Sequence, residues 1–484
     1  MRQIFKAIII SIILCFTTET HAQFLARQAS KDERTAELIG LTKGGRDFHS
    51  ALKPYTQILD DSIQNNNLQL DIISNITIGY DEQSKQMIYD FRPGISAGFI
   101  HKKNFVVWFG IKGGISKFSQ NLTSLADSIG YLPQEGSFKA QNNSITFGFY
   151  EFYIKYTPFE SLALTLGKGK KHIGDGIRST LLSNQNSGME YFDTEINGGK
   201  IKYVFSLNMS KSLDSKENRP RTKYLAYHAI SWNPARWLNI SGFEAVTLCR
   251  RDSAGNSRFI DLSYINPALF FRPVEYSLGS PDNELLGIFG KIRYAKKHFA
   301  YAQVALDEYN SQYFKENNGW WAEKYAGQIG FKGYILPQNI IKYQAEYNRI
   351  RPYMYSHENA ITSYSMFSQP LANPYGANLE EFTALAELQL EKIFVSIVAD
   401  YVSYGADYNN ISYGNNILRP YTLRQGDYGN TFKQGEKKSI KQTEITIKYY
   451  LKERKYLKNN CLFAQLGTIN TNKYFTIGIK SELL

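Results

Sequence analysis

Gly94-Ile95-Ser96-Ala97-Gly98 has the G-x-S-x-G spacing in which a strained strand-to-helix turn exposes a nucleophilic serine. Here the five residues sit inside an alternating run, Phe91 to Ile100, with no helical pattern after it. We read them as small residues in a tightly curved strand, not as an acyl-transfer site. Gly167-Lys168-Gly169-Lys170-Lys171 has the glycines and lysines of a phosphate loop. It lacks the Lys-Ser/Thr pair at the required spacing and any helix to follow. The histidines are scattered, without H-E-x-x-H or a Cys/His cluster, so neither a metal nor another cofactor is assigned. Glycoside hydrolysis needs two opposed carboxyls. Asp307-Glu308 and Glu380-Glu381 are adjacent pairs, and neighbours on a strand point to opposite faces, so neither pair alone flanks one bond. The chain is read as a non-enzyme.

Three other segments point to binding. His172-Ile173-Gly174-Asp175-Gly176-Ile177-Arg178 leads into Leu181-Leu182-Ser183-Asn184. Asn266-Pro267 and Phe271-Arg272-Pro273-Val274-Glu275-Tyr276 precede Gly279-Ser280-Pro281-Asp282-Asn283. Arg349 and Arg351-Pro352-Tyr353-Met354-Tyr355-Ser356-His357 precede Gln369-Pro370-Leu371 and Pro374-Tyr375-Gly376-Ala377-Asn378. Each mixes Arg, Asp or Asn with aromatics and with Gly or Pro that fix the backbone. Aromatic faces beside planar donors suit sugar rings and acidic sugars. The competing reading is that these loops fold inward and brace one another.

The elements that must carry these segments are strands. Ile201, Tyr203, Phe205 and Leu207 alternate with Lys202, Ser206 and Asn208. Ile341, Tyr343, Ala345 and Tyr347 oppose Lys342, Gln344, Glu346 and Asn348, and Ile445, Ile447 and Tyr449 oppose Glu444, Thr446 and Lys448. From Leu70 to Ser481 about eighteen such runs can be counted, an even number within the range of bacterial membrane barrels, with Ser257 to Tyr264 the weakest. Short joints at Lys102–Asn104, Pro158–Glu160, Lys296–His298, Pro337–Gln338 and Glu391–Lys392 alternate with long ones. The long ones lie at Phe118–Asn143, Gly169–Gly198, Glu308–Glu323, Arg351–Leu379 and Gly405–Ser439. Outer-membrane barrels have short periplasmic turns and long external loops. Two joints break that parity: Asn233–Trp237, short and expected outside, and Lys211–Arg221, long and expected in the periplasm. Phe475, Ile477 and Ile479 alternate with Thr476, Gly478 and Lys480 as a closing strand would. The fold expected is all-β, a transmembrane antiparallel β-barrel of about 18 strands.

The ends and the composition agree. Arg2 and Lys6, the apolar Ala7 to Phe16 and the small-residue site Thr20-His21-Ala22 read as a signal peptide over 1–22. Residues 23–66 are expected as a periplasmic segment with a short helix over Lys31 to Leu41, and 67–484 as the barrel. No later run reaches the roughly 20 apolar residues of a spanning helix. Mean hydropathy is −0.37 although aromatics make up 14 %, as suits strands that show lipid every second residue. Net charge is +12, or +11 without the signal, spread along the chain without an arginine-rich run. That excludes nucleic acid and favours a surface polyanion or outer-leaflet lipid phosphate. Cys249 and Cys461 remain after signal removal, too few for a disulfide framework.

At the three loop segments the chain resembles the Wzi family of capsule-assembly outer-membrane proteins, and within it the RemB-like proteins of gliding bacteria. The resemblance rests on Gly174-Asp175-Gly176-x-Arg178 with Leu181-Leu182-Ser183-Asn184, Phe271-Arg272-Pro273-x-Glu275, Gly279-Ser280-x-Asp282-Asn283 and Asp307-Glu308. It continues through Arg351-Pro352-Tyr353-x-Tyr355-Ser356-His357, Gln369-Pro370-Leu371-Ala372 and Gly376-Ala377-Asn378, so it spans about Leu70 to the C-terminus. It implies an 18-stranded barrel that binds surface polysaccharide as a lectin, with partners in a gliding or adhesion system in the RemB-like branch. Parity places Asp175, Arg178, Arg272, Arg351, Tyr353 and His357 at or just inside the external end, and these are the candidate polysaccharide-binding residues. The rival binding-site-free reading is a diffusion porin with an open lumen.

Overall fold

In the computed structural model, the described residues are 49, 51–53, 68–102, 104–141, 144–214, 219–249, 264, 282–308, 315–335, 340–454, 456–457 and 460–481. The alternating runs among the described residues form strands, with one face towards lipid and the other towards the lumen. Eighteen strands result, each antiparallel to its neighbours. The first six are β1 (Leu68–Ile73 continued by Asn75–Asp81), β2 (Gln86–Phe91 continued by Gly94–His101), β3 (Phe105–Lys117), β4 (Ser144–Phe159), β5 (Leu162–Gly169) and β6 (Met189–Asn197). Then come β7 (Ile201–Asp214), β8 (Arg219–Ala235), β9 (Leu238–Cys249), β10 (Asn283–Ala295), β11 (His298–Glu308) and β12 (Lys324–Ile335). The last are β13 (Ile341–Ile350), β14 (Leu379–Gln389), β15 (Ile393–Ala406), β16 (Glu436–Tyr450), β17 (Asn460–Ile469) and β18 (Asn472–Ser481). β18 pairs with β1, Ile477 opposite Ile78, and the barrel closes. Closure leaves no strand edge with unpaired backbone groups, the condition for crossing a bilayer with strands.

The two faces fall as the alternation predicts. Ile341, Tyr343 and Ile447 point outward, while Lys342, Glu346 and Lys448 are buried in the lumen. Ile95, Ile288 and Ile329 are each more than 60 % exposed and belong to an apolar outer belt. A belt of that kind is stable only against lipid. The 94–98 motif lies within β2 and no helix follows. Gly94 is there because β2 bends after Pro93: a Cβ on Gly94 would lie 2.0 Å from the Ile111 carbonyl oxygen. Ser96 is buried on the lumen side.

Both described ends of the barrel wall lie at the end where most connections are short, and the two joints expected to break parity lie at the ends opposite to those expected. The departures are instead the short turns 82–85 and 470–471 at the long-loop end and the connection 451–459 at the short-turn end. The β8–β9 turn, 236–237, is at the short-turn end, and the β7–β8 connection, 215–218, is at the long-loop end. The polar stretch Lys211–Arg221 reads as a loop because its side chains are hydrophilic. It is largely ladder, Lys211 opposite Thr222 and Asp214 opposite Arg219, extending beyond the apolar belt. The doubtful run at 257–263 lies outside the described residues, and eighteen strands are reached without it.

The signal segment and the helix expected over Lys31–Leu41 also lie outside them. Of 23–66, the described part runs inside the barrel rather than below it. Leu52 and Lys53 pair with Ile173 and His172, and the His49 ring bonds the Ser231 hydroxyl at 2.8 Å and the Gly199 carbonyl at 3.2 Å.

Candidate functional site

The loop joining β5 to β6, residues 170–188, turns inward, and lumen side chains grip it along its length. Lys171 is ion-paired with Asp193 and lies over the Tyr191 ring. The Asp175 carboxylate meets Lys332 Nζ at 2.9 Å and Lys291 Nζ at 3.3 Å. Its carbonyl accepts from Lys332 Nζ at 3.2 Å and Gln344 Nε2 at 3.0 Å. Glu346 accepts the backbone N–H groups of Ile177 and Arg178 at 2.7 and 2.8 Å and the Tyr301 hydroxyl at 2.9 Å. The Arg178 guanidinium then reaches across to the far wall. Nε donates to Glu381 at 2.9 Å and Nη2 to Asp400 at 2.8 Å, and the three side chains are 0 % exposed. Burial alone would lower the Arg178 pKa, but Asp400 and Glu381 more than offset it and hold the guanidinium charged.

A second loop, 351–378, locks onto the first. The Tyr355 hydroxyl donates to the Thr180 carbonyl at 2.7 Å, Ser183 N–H donates to the Leu371 carbonyl at 2.7 Å, and Asn373 Nδ2 donates to Glu381 at 2.5 Å. A third, 407–435, locks onto the second through Tyr353, whose N–H donates to the Gly414 carbonyl at 3.1 Å and whose hydroxyl donates to the Ser412 carbonyl at 2.9 Å. Tyr353 and Tyr355 have left-handed backbones, φ 65° and 70°, a conformation L residues hold only when their surroundings dictate it. Leu181, Leu182, Met354, Tyr355 and Leu371 form one apolar core with a residue from each of β7 to β16. That core ties the inward-folded loops to strands β7 to β16 of the wall.

Above it, at the external end, lies a layer of half-buried aromatics with Tyr428 exposed. Arg351 donates to the Glu323 carboxylate and carbonyl at 3.3 and 3.2 Å, and burial lowers its pKa first, ahead of the opposing pull of Tyr325 and Glu323. Tyr353 touches Trp321 edge-on at 6.4 Å, and His357 touches Tyr421 at 5.8 Å. Burial, reinforced by Lys324 and Lys223, holds the His357 pKa down at about 3, so the ring is neutral at physiological pH.

The candidate residues thus separate. Asp175 and Arg178 lie deep in the plug, ion-paired and buried. Arg351, Tyr353 and His357 converge beneath the external surface. Arg272 lies outside the described residues. The residues that form that surface, Trp320, Trp321, Tyr421, Arg424 and Tyr428, were not among the candidates. The adjacent pair Trp320-Trp321, two of the five tryptophans of the chain, at the end of a long external loop is the signal that could have found them.

No family model and no curated protein matches the sequence. Among solved structures, this barrel has a counterpart in fold. The chain is similar to Wzi of Escherichia coli. The two superpose with a TM-score of 0.57 over 94 % of this chain and 98 % of Wzi, at 12 % identity. Wzi is described as a carbohydrate-binding β-barrel of the outer membrane involved in group 1 capsule assembly. Two further solved structures match at lower scores. OccAB2 of Acinetobacter baumannii has a TM-score of 0.46 and 9 % identity over 86 % of this chain and 97 % of its own. OccK8 of Pseudomonas aeruginosa has 0.45 and 7 % over 86 % and 98 %. At these identities the likeness to Wzi is one of fold: an outer-membrane barrel of 18 strands.

Proposed function

We propose that this protein is a non-enzymatic outer-membrane barrel that binds and holds surface polysaccharide at the cell exterior. The observation that carries the reading is the interlocking of the 170–188, 351–378 and 407–435 loops inside the barrel, which supports a filled upper lumen and a fixed external surface over an open channel. Carbohydrate binding by Wzi, the similar barrel, supports the same reading. Within it, Asp175 and Arg178 brace the plug, and Arg351, Tyr353 and His357 support the surface from below. Arg272, in the Phe271-Arg272-Pro273 segment, is kept as a candidate donor to the glycan. Lipid is the partner of the outer belt. The resemblance to RemB-like proteins extends the proposal to retention of polysaccharide within a gliding or adhesion system and to partner proteins there.

The test is a deletion strain complemented with the gene. Surface polysaccharide is to be measured on cells and in the medium, and purified protein assayed for conductance in planar bilayers. Polymer lost to the medium on deletion and restored on complementation, with a barrel that conducts little, is the expected result. Unchanged polymer together with steady porin-like conductance would sink the proposal.

A further inference from the structure

Loops 315–323 and 421–435 come from the β11–β12 and β15–β16 connections, with only β13 and β14 between them in the wall, and are clasped together. Trp321 N–H donates to the Asp427 carbonyl at 2.8 Å, Gly429 N–H to the Asn318 carbonyl at 2.9 Å and Asn430 N–H to the Gly319 carbonyl at 2.9 Å. Asn430 Nδ2 donates to the same Gly319 carbonyl at 3.1 Å. Gly319 has φ 70°, and a Cβ on it would lie 2.7 Å from Asn430 N, so the clasp admits only glycine there.

The clasp sets four rings in a row. Tyr428 and Trp320 are 5.1 Å apart, Trp320 and Trp321 6.0 Å, and Trp321 and Tyr421 4.6 Å, all tilted. Tyr428 is 56 % exposed, and both tryptophans and Tyr421 are half-buried. A ring cluster serving only as loop core would be covered, and exposed aromatics held by a preorganised backbone are a binding surface. The charges around it are matched locally. Arg424 lies over Trp321 at 4.2 Å and is paired with Asp427 at 2.6 Å. Lys324 is paired with Glu308 at 3.1 Å and Arg351 with Glu323 at 3.3 Å.

We propose that Tyr428, Trp320, Trp321 and Tyr421 form a stacking subsite that takes the apolar C–H faces of pyranose rings of a surface polysaccharide, without requiring carboxylates on the sugar. The inference rests on the polysaccharide-binding reading above and names where and by what chemistry the polymer is held. Sugar rings present a C–H face to an aromatic ring and hydroxyls around it, and aromatic side chains supply that face at little conformational cost. Paired cations give an acidic polymer no net charge to seek.

The experiment uses polysaccharide stripped from the producing cells, before and after reduction of its carboxylates to alcohols, titrated against purified barrel while tryptophan fluorescence is followed. Both polymers should bind the parent, with affinity little changed up to about 1 M salt, where screening acts within about 3 Å. Trp320→Ala and Tyr428→Ser should each weaken binding about tenfold, while Trp320→Phe and Tyr428→Phe, which keep a ring, retain most of it. Tyr428 is exposed enough for its variant to fold whatever happens to the Trp320 variant, and heat-modifiability on gels reports folding. Normal binding by folded Tyr428→Ser and Trp320→Ala would overturn the subsite and leave the function standing. Loss of binding on carboxylate reduction would overturn stacking as the chemistry. If the parent binds neither polymer, the functional proposal falls and the subsite with it.

Discussion

Removing the Arg178 guanidinium tests whether the plug is held by charge. Arg178 bridges from the 170–188 loop to Glu381 on β14 and Asp400 on β15 at 2.9 and 2.8 Å, with none of the three exposed. Arg178→Ala leaves two carboxylates buried without their shared cation. Breaking a buried pair by deleting one partner costs about 3–5 kcal/mol, because the remaining charge is uncompensated. The hydrogen-bond ladder of eighteen strands is untouched, so the cost falls on the closed state of the loop. The ratio of closed to released plug should drop by roughly two to three and a half orders of magnitude. Planar-bilayer recording should then show flickering openings absent from the parent, with heat-modifiability on gels unchanged. Arg178→Met combined with Glu381→Gln and Asp400→Asn, which leaves no buried charge, should restore a quiet barrel. If Arg178→Ala is as quiet as the parent, and its loop as resistant to protease, the ion cluster does not hold the plug.

Glu346→Gln should release the same loop in part, because its amide N–H₂ would face the N–H groups of Ile177 or Arg178 that the carboxylate now accepts. Protease protection of 170–188 reads this, and full protection would refute it. Ile447→Lys and Ile288→Arg on the lipid face should each cost about 2–4 kcal/mol near the midplane and slow assembly into vesicles. Assembly at the parent rate would mean that these positions do not meet lipid. The His357 pKa is lowered from 6.5 to about 3, so the folded loops bind fewer protons than the unfolded chain between those values, and loop stability rises with pH there and falls as pH drops below about 6.5. Protease protection of 351–378 should fall in acid, and His357→Gln should flatten the dependence. Cys249 on β9 and Cys461 on β17 lie on distant strands, and the Cys461 thiol donates to the Lys480 carbonyl at 3.6 Å, so mass spectrometry of unreduced protein should find no bridge between them.

The wall of this barrel was legible because a strand in a bilayer obeys a local rule. Ile341 and Lys342 declare their faces without reference to any other strand, since lipid and lumen impose opposite chemistry on successive residues. The rule weakens beyond the bilayer, where both faces meet water, and there the polar ladder from Lys211 to Arg221 was mistaken for a loop. Inside the lumen it is silent about partners. Nothing local in Glu346 tells that it accepts two N–H groups from residues about 170 positions earlier in the chain.

The same distinction explains the arginines. Arg351 stands beside aromatics in its loop, as a glycan-binding arginine would, and Arg178 follows Asp175 in a glycine-rich segment, so neither declares its final partner in sequence. The carboxylates that claim them come from elsewhere: Glu381 and Asp400 from two strands of the far wall, and Glu323 from another loop. Sequence proximity therefore indicates which side chains gather at the external end, while long-range pairing decides which of them still have a face to offer. By that criterion the buried arginines hold the surface in place, and the rings of Trp320, Trp321 and Tyr428 are the ones that still have a face to offer. A recognition surface whose cations are already committed must discriminate by ring shape and hydroxyl pattern. Its affinity should then survive salt that would strip a polyanion from a basic patch.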